Sequence, residues 1–276
     1  MPFLNVAPHK VFYTDTGGDK PVLIFSHGFF MDQTSFDLQY EAFGEDYRCI
    51  GWDEMGFGRS PASRNYSYWD SAEVLLALMD ELGIARATLV GVSKGGFISL
   101  RVALMALERV KGIVLIGSES GVFSAEQHAE FSELVDAWGR SSNEELTEEM
   151  AAISELYLGD DPQKAAWIQR WSKRDRSQIN HAGHALLNRD DVTDRLEEIT
   201  CPALIIHGSD DQGVDYAKGQ AMAAGLPRGE FFGIDQAPHG PNMTHPTLVN
   251  ERMRAFLESE NYQEDGPNRH PVYQSN

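Results

Sequence analysis

Gly91-Val92-Ser93-Lys94-Gly95 sets one hydroxyl between two glycines, with an apolar run before it and a helical pattern after it. The pattern is G-x-S-x-G, the nucleophile elbow, in which a sharp strand-to-helix turn lifts a serine clear of a sheet. So tight a turn leaves no room for side chains two residues to either side, hence the glycines at 91 and 95. Gly96 would let the helix approach the sheet more closely. The serine then sits at a helix N-terminus, whose dipole favours negative charge. Residues of such common types say little alone, and a tight turn with a capping serine would also satisfy them.

A serine hydroxyl is a poor nucleophile at neutral pH. It needs a base, and the base needs an orienting acid. Downstream, "PALIIHGSDD" ends on Asp210 and Asp211, and "QAPHGPNMTHP" offers His239 and His245. Serine, acid, histidine is the chain order of elbow enzymes. Glu119, directly after "GIVLIGS", is a third candidate for the acid. The late pairs fall where loops leave the carboxyl ends of strands, the edge at which open α/β sheets bind ligands. The chemistry this allows is acyl transfer through a covalent intermediate.

The elements that must position these residues are short. "KVFYTD", "PVLIFSHG", "YRCIGWD", "ATLVGVS", "GIVLIGS", "PALIIHGS" and "GEFFGID" have the length and apolar character of strands covered on both faces. Helical patterns alternate with them: "YWDSAEVLLALMDELGI", with Asp70 or Ser71 to cap it and Gly83 to end it, then "GFISLRVALMALE" and "HPTLVNERMRAFLESE". Such alternation predicts an α/β class with a mostly parallel central sheet flanked by helices. It breaks over residues 121–195, which read as an all-helical insertion. The core is then 1–120 with 196–260, and 261–276 is an extended polar tail.

These pieces together resemble the α/β-hydrolase superfamily over nearly the whole chain, carried by "FSHGFFMD", "GWDEMGFGRS", "GVSKGG", "IIHGSDD" and "APHGPNMTHP". Within it the chain is similar to small esterases, lactonases and cofactor-free haloperoxidase-like enzymes. The resemblance implies Ser93 as nucleophile, His239 as base and then acid, and Asp211 as the orienting acid, with Asp210 and Glu119 as alternatives. It implies an oxyanion hole from the backbone N–H groups of Phe29 and Lys94. His245 before Pro246 would open the last helix, and His27 would be structural. Two departures stand out. Met55 replaces the usual arginine of the "GWDEMGFGRS" loop, which bears on loop packing. Lys94 follows the nucleophile, where an apolar residue or glutamine is commoner. Its buried ammonium needs a carboxylate, for which Glu54 and Glu119 are candidates.

The insertion falls where the family carries its cap. Trp138, Tyr157, Trp167 and Trp171 are spaced along it, and most should be cap core. A pocket beneath the cap is expected from Phe30, Met31, Phe123, Trp138 and Trp167, suiting a small to medium, largely apolar acyl substrate. His181 and His184 lie three apart but no third ligand is evident, so neither a metal nor a cofactor is expected.

With 23 basic and 42 acidic residues the net charge is −19, which excludes nucleic acid or an anionic membrane as the main partner. A small-molecule substrate and a monomer or homodimer are expected. Cys49 and Cys201 sit in apolar runs and read as buried thiols. The first residues lack a signal peptide's apolar core and no apolar run is long enough to span a bilayer, so a cytoplasmic protein is expected.

Two other functions fit the same residues. One is a different reaction on the same triad, either carbon–carbon cleavage beside a ketone or perhydrolysis. The other is a ligand receptor with a vestigial or slow triad. Ser93 argues against haloalkane dehalogenases and epoxide hydrolases, which carry aspartate at that position.

Overall fold

The computed structural model describes residues 3–6 and 9–263. Eight strands form one sheet in the order β1-β2-β4-β3-β5-β6-β7-β8: β1 (Phe3–Val6), β2 (His9–Asp15), β3 (Val22–Ser26), β4 (Arg48–Trp52), β5 (Ala87–Val92), β6 (Val110–Ile116), β7 (Ala203–Gly208) and β8 (Gly229–Ile234). The pairs β1·β2 and β2·β4 are antiparallel and every later pair is parallel. All seven expected strands are present. The eighth, β1, is four residues at the chain start, too short for a periodic signal to single out, and it forms by pairing along β2.

Every residue of β5 and β7 is buried, which requires cover on both faces. The helices are α1 (Asp37–Phe43), α2 (Tyr68–Glu81), α3 (Lys94–Met105), α4 (Ala125–Arg140), α5 (Thr147–Leu158), α6 (Lys164–Ser172), α7 (Ile179–Leu187), α8 (Tyr216–Gly225), α9 (Pro241–Thr244), α10 (Pro246–Glu258) and α11 (Glu260–Gln263). The start of α2 differs from expectation. Ser67, not Asp70 or Ser71, is the N-cap, and Asp70 closes a capping box by accepting from the Ser67 N–H at 2.7 Å. Tyr68 and Trp69 therefore belong to the first turn. Gly83, at φ +66°, ends the helix as expected.

Residues 121–195 hold α4 to α7 and no strand. Cys49 and Cys201 are both buried. The expected tail needs correcting at its start. Residues 261–263 are helical, because the Tyr262 ring is buried and its hydroxyl lies 2.5 Å from Thr88 Oγ1 of β5. The rest of that tail lies outside the described residues. Among the described residues, no helix is long and apolar enough to cross a membrane.

The parallel run of strands fixes where function can lie. The chain leaves β3, β5, β6, β7 and β8 at one edge of the sheet. Phe29, Ser93, Glu119, Asp211 and His239 follow those five strands in that order.

Candidate active site

Ser93 adopts φ +52° and ψ −115°, a strained conformation for a residue with a side chain. The flanking glycines are dictated by contact. A Cβ at Gly91 would lie 2.3 Å from Gly95 backbone, and one at Gly95 would lie 1.9 Å from Ser26 O. Ser93 holds the N-cap position of α3, yet its side chain makes no capping hydrogen bond. That removes the capping-serine alternative and leaves the hydroxyl available for chemistry.

His239 lines the same cavity as Ser93. Its Nδ1 lies 2.8 Å from both carboxylate oxygens of Asp211. A carboxylate only accepts, so Nδ1 carries the proton and Nε2 is the basic nitrogen. Asp211 also accepts from the Gly213 N–H at 2.7 Å and the Val214 N–H at 2.9 Å, and His207 Nε2, which meets Val214 O at 2.9 Å, lies 3.1 Å from Asp211 Oδ2. Burial alone would raise its pKa. His239 beside it, and the hydrogen bonds from His207, His239 and Val214, outweigh burial and hold the carboxyl well below the usual carboxylate range.

The alternative acids lie elsewhere. Asp210 is exposed and accepts from Ser209 Oγ at 3.1 Å. Glu119 is buried at the cavity wall, where Arg189 holds it at 2.9 Å and Lys218 at 2.7 Å. His245 caps α10 by position, with Nδ1 at 2.9 Å from Thr244 Oγ1, and does not line the cavity. His27 donates from Nδ1 to Gly28 O at 2.8 Å and accepts the Glu54 N–H at Nε2. Burial, with Lys94 close by, lowers its pKa well below the ordinary imidazole value, which suits a neutral structural ring.

The cavity between Ser93 and the cap has a volume of about 30 Å³, enough for a water-sized occupant. Phe29, Phe97, Phe131, Leu156, Leu186 and Val214 make its wall largely apolar. Of the five expected pocket residues, Phe30 and Phe123 line it. Met31 is fully buried in the core; Trp138 packs behind Phe30 with ring centroids 4.4 Å apart; Trp167 faces a separate groove beside α1. An aromatic on a cap helix has several apolar faces to choose from, and residue type alone does not select one. Tyr157 does reach the cavity. His181 and His184 turn instead to Asn65 Oδ1 and Tyr66 O, at 2.8 and 3.3 Å.

Lys94 points into the protein, over the Phe57 ring, with Nζ 2.6 Å from Glu54 Oε2. The contact is off the hydrogen-bonding angle and we read it as an ion pair. Burial lowers the Lys94 pKa and Glu54 partly restores it. Both side chains are about 1% exposed, so removing one leaves the other charged and buried. Lys94→Met should therefore cost about 3–5 kcal/mol in urea unfolding, and Lys94→Met/Glu54→Gln distinctly less. A single variant as stable as wild type would mean the pair is not formed.

The fold family model described as "alpha/beta hydrolase fold" matches residues 21–246. The chain is an α/β hydrolase. Its relatives include a 2-hydroxy-6-oxononadienedioate/2-hydroxy-6-oxononatrienedioate hydrolase of Paraburkholderia phymatum, 30% identical over 90% of this chain and 91% of that protein. A 3-oxoadipate enol-lactonase of Acinetobacter baylyi is 25% identical over 87% and 90%. Among solved structures, the enol-lactonase of Burkholderia xenovorans superposes with a TM-score of 0.85, covering 94% of this chain and 100% of its own at 21% identity, a likeness of fold. This α/β hydrolase is a hydrolytic enzyme. Met55, where its loop departs from the expected arginine, is wholly buried, and Tyr66 donates to its carbonyl at 2.6 Å.

Proposed function

We propose that the chain is a serine hydrolase that cleaves a small to medium, largely apolar carboxylic ester or lactone through an acyl-enzyme. The observation that carries this reading is a strained, uncapped Ser93 sharing a largely apolar cavity with His239, whose Nδ1 is held by a buried, ionised Asp211. In this reading Ser93 Oγ attacks the acyl carbon while His239 Nε2 takes its proton. The N–H groups of Phe29 and Lys94 receive the oxyanion. Collapse expels the alcohol oxygen, which takes the proton back from His239. Water then attacks the acyl-enzyme by the same route and frees Ser93.

The enol-lactonase relative supports an ester-type bond. The relative at 30% identity, named for an oxo-acid hydrolase, favours a second reading on the same residues, cleavage of a carbon–carbon bond beside a ketone. A panel of p-nitrophenyl esters, aliphatic lactones and β-diketones, each run with wild type and Ser93→Ala, separates them by product. We expect multiple turnover on esters or lactones in preference to diketones, lost in Ser93→Ala. Preference for diketones selects the second reading. Release limited to a single slow turnover would instead favour a receptor.

A further inference from the structure

The turn that carries the Phe29 N–H runs from Gly28 to Met31, closed by the Met31 N–H donating to Gly28 O at 3.2 Å. Phe30 within it has φ +65°, a conformation that a residue with a side chain keeps only where its surroundings enforce it. Those surroundings belong to the cap. The Tyr157 hydroxyl, at the end of α5, donates to Phe29 O at 2.8 Å. The Trp171 indole N–H, on α6, donates to Phe30 O at 2.8 Å. Burial pushes the Tyr157 phenol up, so it stays a donor.

The end of α5 also holds the histidine loop. Leu156 O accepts the His239 N–H at 3.1 Å and Tyr157 O accepts the Gly240 N–H at 3.0 Å. The Tyr157 ring meets the His239 ring edge-on, 4.9 Å between centroids. Gly28 makes the approach possible, since a Cβ there would stand 2.5 Å from the phenol oxygen. The phenol proton is directed at Phe29 O, so the hydroxyl orients the turn.

We infer that Tyr157, supported by Trp171, is a positioning residue that fixes the Phe29 N–H, so that docking of the cap assembles the oxyanion hole. Leu156 and Tyr157 of α5 line the cavity beside Ser93, so any shift of the cap away from the core would loosen the hydrogen bonds to the turn and with them the Phe29 N–H. The inference rests on the proposed reading of Ser93 as nucleophile.

The test is Tyr157→Phe, which removes the hydroxyl and keeps the ring against His239. Activity on p-nitrophenyl butyrate is normalised to active sites titrated with diethyl p-nitrophenyl phosphate, so that misfolded molecules drop out. Deleting an oxyanion donor outright costs about 10²–10³ in kcat, and a donor that is only misplaced should cost about 10–100-fold. KM should move less than about threefold, because substrate binding is not what is lost. Affinity for a trifluoromethyl ketone, whose adduct carries the oxyanion, should fall by the same factor as kcat/KM, a change that a purely structural role would not produce. Trp171→Phe should show the same split, and it answers the question if Tyr157→Phe does not fold. Per-site kcat within about twofold of wild type, or unchanged ketone affinity, would overturn the inference. Ser93→Ala run alongside keeps the two ideas apart. If it is active, the nucleophile assignment fails; if it is inactive while Tyr157→Phe is normal, only the role of the cap fails.

Discussion

Ser93→Ala is expected to lower kcat on p-nitrophenyl esters by about 10⁵–10⁶-fold with the fold intact, the scale seen when the nucleophile of a serine triad is removed. The substitution takes away one oxygen at a position that makes no capping bond, and the elbow's shape is set by Gly91 and Gly95 instead. Circular dichroism and the thermal midpoint should therefore stay close to wild type. The residual rate, about 10³–10⁴ over water, would come from the oxyanion hole and substrate binding alone. Turnover comparable to wild type, measured after excluding contaminating esterase, would remove Ser93 from the mechanism.

Asp211→Asn should lower kcat by about 10⁴-fold near neutral pH. Its carboxylate accepts Nδ1–H of His239 with both oxygens at 2.8 Å. An amide can present a donor there, which favours the tautomer with the proton on Nε2, where it cannot accept from Ser93. Asp210→Asn, at an exposed position bonded to Ser209, should stay within about twofold of wild type, as surface changes usually do. Glu119→Gln disturbs a pair of ion contacts but leaves His239 oriented, so its loss should be much smaller than that of Asp211→Asn. The reverse ranking would make Glu119 the acid. The pH sign follows from the lowered pKa of Asp211. A folded-state value below the unfolded one gives stability that is present above about pH 4 and is lost only as pH falls toward the folded value. A decline in activity in mildly acidic solution therefore does not come from protonation of Asp211.

How far these residues could be read from the sequence depended on how local their constraint is. The elbow is set by collisions within five residues, so Gly91, Ser93 and Gly95 are visible in the letters. The acid and histidine follow the carboxyl ends of β7 and β8, which alternating runs mark out well; the resemblance already favours Asp211 over Asp210, and the turn that buries one and exposes the other is the physical reason. Lys94 announced a need for a carboxylate, but only the packing of the β4 loop chooses Glu54, since Glu119 is already held by Arg189 and Lys218. The cap was legible as helices and opaque as surfaces. Trp138, Trp167 and Met31 have the right chemistry for a pocket and face other ways. Tyr157 looked like one more cap aromatic, because its partners, Phe29 O and the histidine loop, lie about 130 and 80 residues away in sequence, separations that helical periodicity does not report.

Covalent labelling tests the central claim most directly. Wild-type protein treated with diethyl p-nitrophenyl phosphate should release one p-nitrophenol per chain, lose activity in step, and carry the diethylphosphoryl group on Ser93 in the digested peptides. His239→Ala should label far more slowly. A fully inactivated enzyme with the group on another residue, or equally fast labelling of Ser93 without His239, would contradict it.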